Sequence, residues 1–129
     1  MVEQKERPPL SEAQMEIMTI VWERGEVTVA DVWNELSRRR SVARNTVMTM
    51  MKRLEEKGWL RHRVEGNKFL YRAGAERDKT LRRLVSNLVD TAFGGSADDL
   101  VMALLDGRGV SPEEAARIRR MIEKAEKDS

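Results

Sequence analysis

A chain of 129 residues with 24 Lys+Arg, 22 Asp+Glu, one His and no Cys has room for one domain or two small ones. The missing cysteines exclude a disulfide scaffold, a zinc finger, an iron–sulfur centre and a thiol nucleophile, and they fit a reducing compartment. The charge is unevenly spread: residues 37–72 hold eleven basic side chains against three acidic ones, a local +8, whereas residues 76–129 hold ten against eleven.

Residues 1–9 are polar, aperiodic and close on Pro8-Pro9, the pattern of a flexible arm. A first helix begins at Ser11, an N-cap three residues before Gln14, with Leu10 and Met15 spaced as a hydrophobic staple. Ile17, Met18, Val21 and Trp22 form its apolar face, and Gly25 stops it. Thr28 opens a second helix, with Asp31 at the third helical position, Val27 and Val32 as the staple pair, and a stripe of Val29, Val32, Trp33 and Leu36. Arg38-Arg39-Arg40 follows, readable as a solvated helix end or as a phosphate contact, since cations favour a helix C-terminus in either case. A third helix runs from about Ala43 to Lys57, buries Val47, Met50, Met51 and Leu54, and ends at Gly58.

From Trp59 the hydrophobic period falls from 3.6 to 2. Leu60, His62 and Val64 alternate with Trp59, Arg61 and Arg63, and Gly66-Asn67 turns the chain into a return strand carrying Phe69 and Tyr71, a β-hairpin. The small residues Ala73-Gly74-Ala75 mark a joint. Leu81, Leu84, Val85, Leu88, Val89 and Ala92 then make a helical stripe that stops at Gly94-Gly95. Ser96 with Asp99 caps a short helix bearing Leu100, Val101, Leu104 and Leu105. Ser111-Pro112-Glu113-Glu114 is a capping box opening a last helix with Ile118, Met121, Ile122 and Ala125.

The expected organisation is an arm at 1–9, a winged helix-turn-helix domain at 10–75 and a helical dimerisation domain at 76–129. The fold class is mainly α with one small antiparallel hairpin. Three helices and a hairpin, with the positive charge on the third helix and the hairpin, is the element order in which that helix enters the major groove and the wing lies along the backbone. A wheel centred on Val47, Met50, Met51 and Leu54 turns Asn45, Thr49 and Lys52 outward, with Thr46, Met48 and Arg53 at the flanks. Asn can pair with adenine, Lys with guanine, and a Thr methyl can meet a thymine methyl. Arg44, Arg61, Arg63 and Lys68 suit phosphates. The expected partner is double-stranded operator DNA. The rival reading is a winged-helix module that docks a protein, with the basic face incidental.

The three C-terminal stripes are broad for so short a segment, and three short helices alone bury too little to be stable. Leu81, Leu84, Val85, Leu88, Leu100, Val101, Leu104, Leu105, Ile118 and Ile122 are therefore expected to form a homodimer core. No catalytic constellation is visible: Asp98-Asp99 and Glu113-Glu114 sit in first helical turns, where they complement the dipole. His62, with no second His and no Cys, reads as a partly buried or wing-edge histidine rather than a ligand. No enzyme activity, metal or cofactor is expected. Residues 1–10 lack the apolar stretch of a signal peptide, and the longest apolar run, 100–105, is too short to span a bilayer, so a soluble cytoplasmic protein without membrane contact is expected.

The segments Leu10-Ser-Glu-Ala-Gln-Met-Glu-Ile-Met, Val29-Ala-Asp-Val, Arg44-Asn-Thr-Val-Met-Thr, Arg53-Leu-Glu-Glu-Lys-Gly-Trp-Leu60 and Glu65-Gly-Asn-Lys-Phe-Leu-Tyr-Arg72 together resemble the penicillinase-repressor (BlaI/MecI) family, over residues 10 to about 126. The resemblance implies a dimeric repressor with an N-terminal winged helix and a C-terminal three-helix dimerisation domain, bound to inverted repeats. The copper-responsive branch ends in a cysteine cluster absent from this chain. The β-lactam-responsive members are cleaved at an Asn-Phe bond whose counterpart here is Ala103-Leu104. A regulatory protease or a small-molecule effector is a further candidate partner. Because Ala103-Leu104 lacks the Asn-Phe cue and falls in a stripe expected at the dimer core, release is expected through a small ligand, a partner protein or dilution of dimers rather than by cutting at that bond.

Overall fold

Local signals at the helix starts fix much of the chain. A computed structural model describes residues 7–129, ordered α1 (Glu12–Arg24), α2 (Val29–Ser37), α3 (Arg44–Glu56), β1 (Leu60–Glu65), β2 (Lys68–Ala73), α4 (Arg77–Ala92), α5 (Ala97–Gly107) and α6 (Pro112–Asp128). Ser11 and Thr28 each form a reciprocal capping box, with Gln14 and Asp31 respectively, so two otherwise orphaned N–H groups are satisfied at each start. At Ser96 and Ser111 the hydroxyl accepts from the backbone of Asp99 and Glu114. There the capping box expected at Ser111 reduces to this single bond between cap hydroxyl and third-position amide.

Among the described residues the chain divides into two compact units that meet inside α4, between Leu81 and Arg82. The core of the first unit joins Ile17, Met18, Ile20 and Val21 of α1, Val32 and Leu36 of α2, and Val47, Met51 and Leu54 of α3 to Val27, Trp59, Leu60 and Tyr71. Met50, Trp22, Val29 and Trp33, expected in the buried stripes, pack only partly buried at its margin. All three tryptophans, Trp22 and Trp33 at the margin and Trp59 in the core, meet the same requirement, because a buried indole N–H needs an acceptor. Each finds a loop carbonyl: Trp22 donates to Ala75, Trp33 to Val42 and Trp59 to Pro8.

The hairpin pairs Leu60 with Ala73 through Glu65 with Lys68. Gly66 takes φ +64° and Asn67 has no positive φ, the pattern of a two-residue type II′ turn, which needs glycine at its first central position. Val27 adds a bridge to Tyr71, with both N–H···O bonds formed at 2.9 and 2.7 Å. That bridge explains why Val27, expected as a staple residue, is fully buried: it is a one-residue third strand fastening the α1–α2 loop to the hairpin.

Residues 7–9 depart from the expected arm. Arg7 donates to the carbonyls of Gly58 and Gly74, each at 2.9 Å, and its guanidinium lies over the Trp59 ring. The rest of the arm, residues 1–6, lies outside the described residues. Trp59 itself is buried rather than sharing the arginine face, because it precedes the strand and closes the core. The Ala73-Gly74-Ala75 joint is likewise part of the fold. Gly74 N–H donates to Trp59 at 2.8 Å, and a Cβ at Gly74 would lie 2.6 Å from the Gly58 carbonyl oxygen.

In the second unit no side chain is fully buried. Of the ten side chains expected in a dimer core, Leu84, Val85, Leu88, Val101, Leu104, Leu105 and Ile122 are exposed, whereas Leu81 (at the end of the first unit), Leu100 and Ile118 are half-buried. Among the described residues no helix is long and apolar enough to cross a membrane.

Candidate nucleic-acid interface

α3 differs from every other helix at its N-terminus. The other five described helices each carry an acidic residue in the first turn, but α3 has none, begins with Arg44, and is preceded by Ala43, which makes no side-chain cap. A cation at the positive end of a helix is locally unfavourable, and an approaching anion, attracted by both the cation and the helix N-terminus, offsets that repulsion. Because Val47, Met51 and Leu54 are inward, the 3.6-residue period turns Asn45, Thr49 and Lys52 to solvent. Arg44, Thr46, Met48 and Arg53 are exposed as well.

The hairpin's strict alternation gives it two faces. One carries Arg61, Arg63 and Glu65 from β1 with Lys68, Leu70 and Arg72 from β2, and the register sets Arg61 directly opposite Arg72. Like charges at paired positions repel, an arrangement that a polyanion relieves. The other face carries Leu60, His62 and Val64 with Ala73, Tyr71 and Phe69. Only its base is buried, since Val64 and Phe69 are 57% and 46% exposed. The period-2 pattern sorts side chains onto two faces without saying how far along a face the cover reaches, and here only Leu60 of β1 is buried. His62 sits at the edge of this coverage, stacked on Phe69 with centroids 4.2 Å apart and with Nδ1 2.6 Å from Glu55 Oε2. It therefore ties the wing to the end of α3.

Ion pairing sorts the basic residues more sharply than their order along the chain. Arg38, Arg39 and Arg40 are engaged by Glu35 and Glu16, which favours the helix-end reading of that run. Arg63 is held by both oxygens of Glu26, at 2.7 and 2.9 Å, and by Glu65. The Arg63 hydrogen bond, then the charges of Arg63 and Arg72, keep the Glu26 carboxyl below its ordinary pKa, and the hydrogen bonds to Glu26 and then Glu65 raise that of Arg63. Burial, followed by the charge of Glu55, raises the pKa of the Tyr71 hydroxyl. By contrast Arg44, Lys52, Arg53, Lys57, Arg61 and Lys68 make no ion pair among the described residues.

Of the ten residues singled out from sequence, all are thus exposed, seven lie on α3, and only Arg63 is internally paired. Sequence reasoning missed Glu26, which holds Arg63, Arg7, which ties Gly58 to Gly74, and Arg72. Arg72 was within reach, since the alternation places it on the Lys68 face; Glu26 and Arg7 act across long sequence separations that no local pattern encodes. No group of His, Cys, Asp or Glu suited to a metal ion occurs among the described residues.

Three helices, the third exposed and cationic, followed by a basic antiparallel hairpin define a winged helix-turn-helix protein. Residues 10–124 match the penicillinase repressor family, and the chain belongs to it. It is 26% identical over 119 residues to the penicillinase repressor of Bacillus licheniformis, covering 92% of this chain and 93% of that one. The solution structure of the monomeric form of B. licheniformis BlaI in complex with the blaP half-operator is 32% identical, with a TM-score of 0.50 over 57% of this chain and 89% of that one. A crystal structure of a MarR mutant from E. coli, 18% identical with a TM-score of 0.54 over 90% of this chain and 77% of that one, shares the fold.

Proposed function

We propose that this chain is a homodimeric transcriptional repressor that reads an inverted-repeat operator with α3 and grips the backbone with the wing, without a catalytic step. The observation that carries the reading is the separation of charges. Over residues 10–75 the run at 38–40 and Arg63 are neutralised internally, and the cations there without an ion pair, Arg44, Lys52, Arg53, Lys57, Arg61, Lys68 and Arg72, all lie on α3, at its end or on the wing. Membership of a repressor family and the operator-bound relative support the same reading.

Dimerisation through residues 76–129 rests on the exposed apolar stripes. Leu84, Val85, Leu88, Val101, Leu104 and Leu105 are 40–50% exposed in a single chain, and apolar surface in contiguous stripes is costly to leave in water. Two copies would bury it and present two recognition helices to successive major grooves, so the operator is a near-palindrome. The site of action is the cytoplasm, where bacterial DNA is found. The test is selection of bound duplexes from a random pool, followed by footprinting. Enrichment of a palindrome protected on both half-sites is expected, and binding without sequence preference would refute the reading.

A further inference from the structure

Met48 is 37% exposed. Single exposed apolar side chains are common on protein surfaces and by themselves mean little, so the case rests on where this one stands. Of the large exposed apolar residues among the described residues of the first unit, Val64 and Phe69 are on the wing, and Met48 is the one on a helix; α1 and α2 present none. It lies one turn from Asn45 and one turn from Lys52, and Thr49 is adjacent, so its neighbours are the exposed polar residues of the recognition face. Its sequence neighbours on the inner side, Val47 and Met51, are fully buried. Met48 could not join them without rotating α3 off its core.

An apolar side chain inside a base-reading surface has few acceptable mates. The edges of the bases in the major groove are hydrogen-bond donors and acceptors, and burying those against a thioether without replacement bonds is unfavourable. The exception is the C5-methyl group of thymine, the apolar group that the major groove displays. Methionine suits it, since its unbranched, polarisable side chain adapts to irregular apolar surfaces. Thr49, with a methyl and a hydroxyl, can contact either kind of edge; Met48 offers only a weak acceptor, so its preference is narrower.

We propose that Met48 reads the C5-methyl group of a thymine in each operator half-site and makes that base pair a specificity determinant. The inference rests on α3 being the base-reading element, and the experiment separates the two. Using the palindrome recovered by selection, each thymine is replaced in turn by deoxyuridine, which removes the methyl group and leaves every hydrogen-bonding edge intact. Binding of the full-length protein and of Met48→Ala, Met48→Leu and Thr49→Ser is measured at one fixed salt concentration.

Burial of one methyl group is equivalent to about fourfold in affinity. For the wild-type protein one symmetry-related thymine position should therefore lose about fourfold per half-site on conversion to deoxyuridine. Met48→Ala should bind thymine and deoxyuridine duplexes alike at that position, whereas Met48→Leu and Thr49→Ser keep the discrimination there. The same deoxyuridine penalty at every position in Met48→Ala and wild type, or no penalty anywhere in the wild type, would overturn the Met48 inference while leaving operator preference intact. Equal binding of selected and scrambled duplexes would overturn the base-reading role of α3, and this inference with it. Circular dichroism of each variant verifies folding, which substitution at this exposed position should not disturb.

Discussion

Truncating an unpaired arginine and a paired one should change the salt dependence of DNA binding in different ways. Arg61 has no internal partner among the described residues, whereas Arg39 is held by Glu16 and Glu35 at 3.6 Å each. Each phosphate neutralised contributes about −0.9 to the slope of log K against log salt concentration. If six of the cations without an ion pair on α3, at its end and on the wing, Arg44, Lys52, Arg53, Lys57, Arg61 and Lys68, met phosphates, the slope would approach about −5 per chain. Arg61→Ala should then flatten it by about 0.9 per chain, or about 1.8 for a dimer. Between 50 and 200 mM salt, one lost contact makes the fall in affinity about 3.5-fold smaller. Arg39→Ala should leave the slope unchanged, because its charge is already compensated. Fluorescence anisotropy on a selected and a scrambled duplex at five salt concentrations measures both. Equal flattening by the two substitutions would show that internal pairing does not decide which cations meet DNA.

Other consequences concern the scaffold. Gly74→Ala sets a methyl 2.6 Å from the Gly58 carbonyl oxygen, a backbone atom that also accepts from Arg7; overpacking of this kind should destabilise by about 1–3 kcal/mol, read as a fall in urea midpoint. The paired substitution Leu88→Asp and Leu105→Asp places charge on the exposed stripes of α4 and α5 and should convert dimers to monomers by analytical ultracentrifugation; unchanged dimers would refute the assigned interface. The Glu26–Arg63 pair stabilises the fold above the ordinary carboxylate pKa, because the folded value is depressed, and its contribution is lost as the pH falls through that depressed value. Glu26→Gln should therefore remove part of the acid dependence of the urea midpoint, and an unchanged dependence would refute that role. The Ala103-Leu104 bond lies inside the continuous helix α5, where cleavage requires local unfolding, so exposure of cells to a cell-wall antibiotic should leave the protein at full length. Fragments ending at Ala103 together with loss of operator binding would refute this.

How much of this was legible beforehand depends on the range over which each feature is encoded. The sequence alone determined the helix starts, because Ser11, Thr28, Ser96 and Ser111 act on backbone amides three residues away. It determined which face of α3 is polar, because a 3.6-residue period fixes orientation once Val47, Met51 and Leu54 are inward. It also determined the turn at Gly66-Asn67 and the location of the basic segment. The tertiary structure alone decided which charges remain available, since Glu16, Glu26 and Glu35 reach arginines that composition counts as free. It decided as well that Arg7 and Gly74 belong to the winged-helix body, and that the apolar alternation of β1 is covered only at Leu60. Each of these depends on which atoms long chain separations bring within a few ångströms, and periodicity, which relates residues only to near neighbours, carries no record of that.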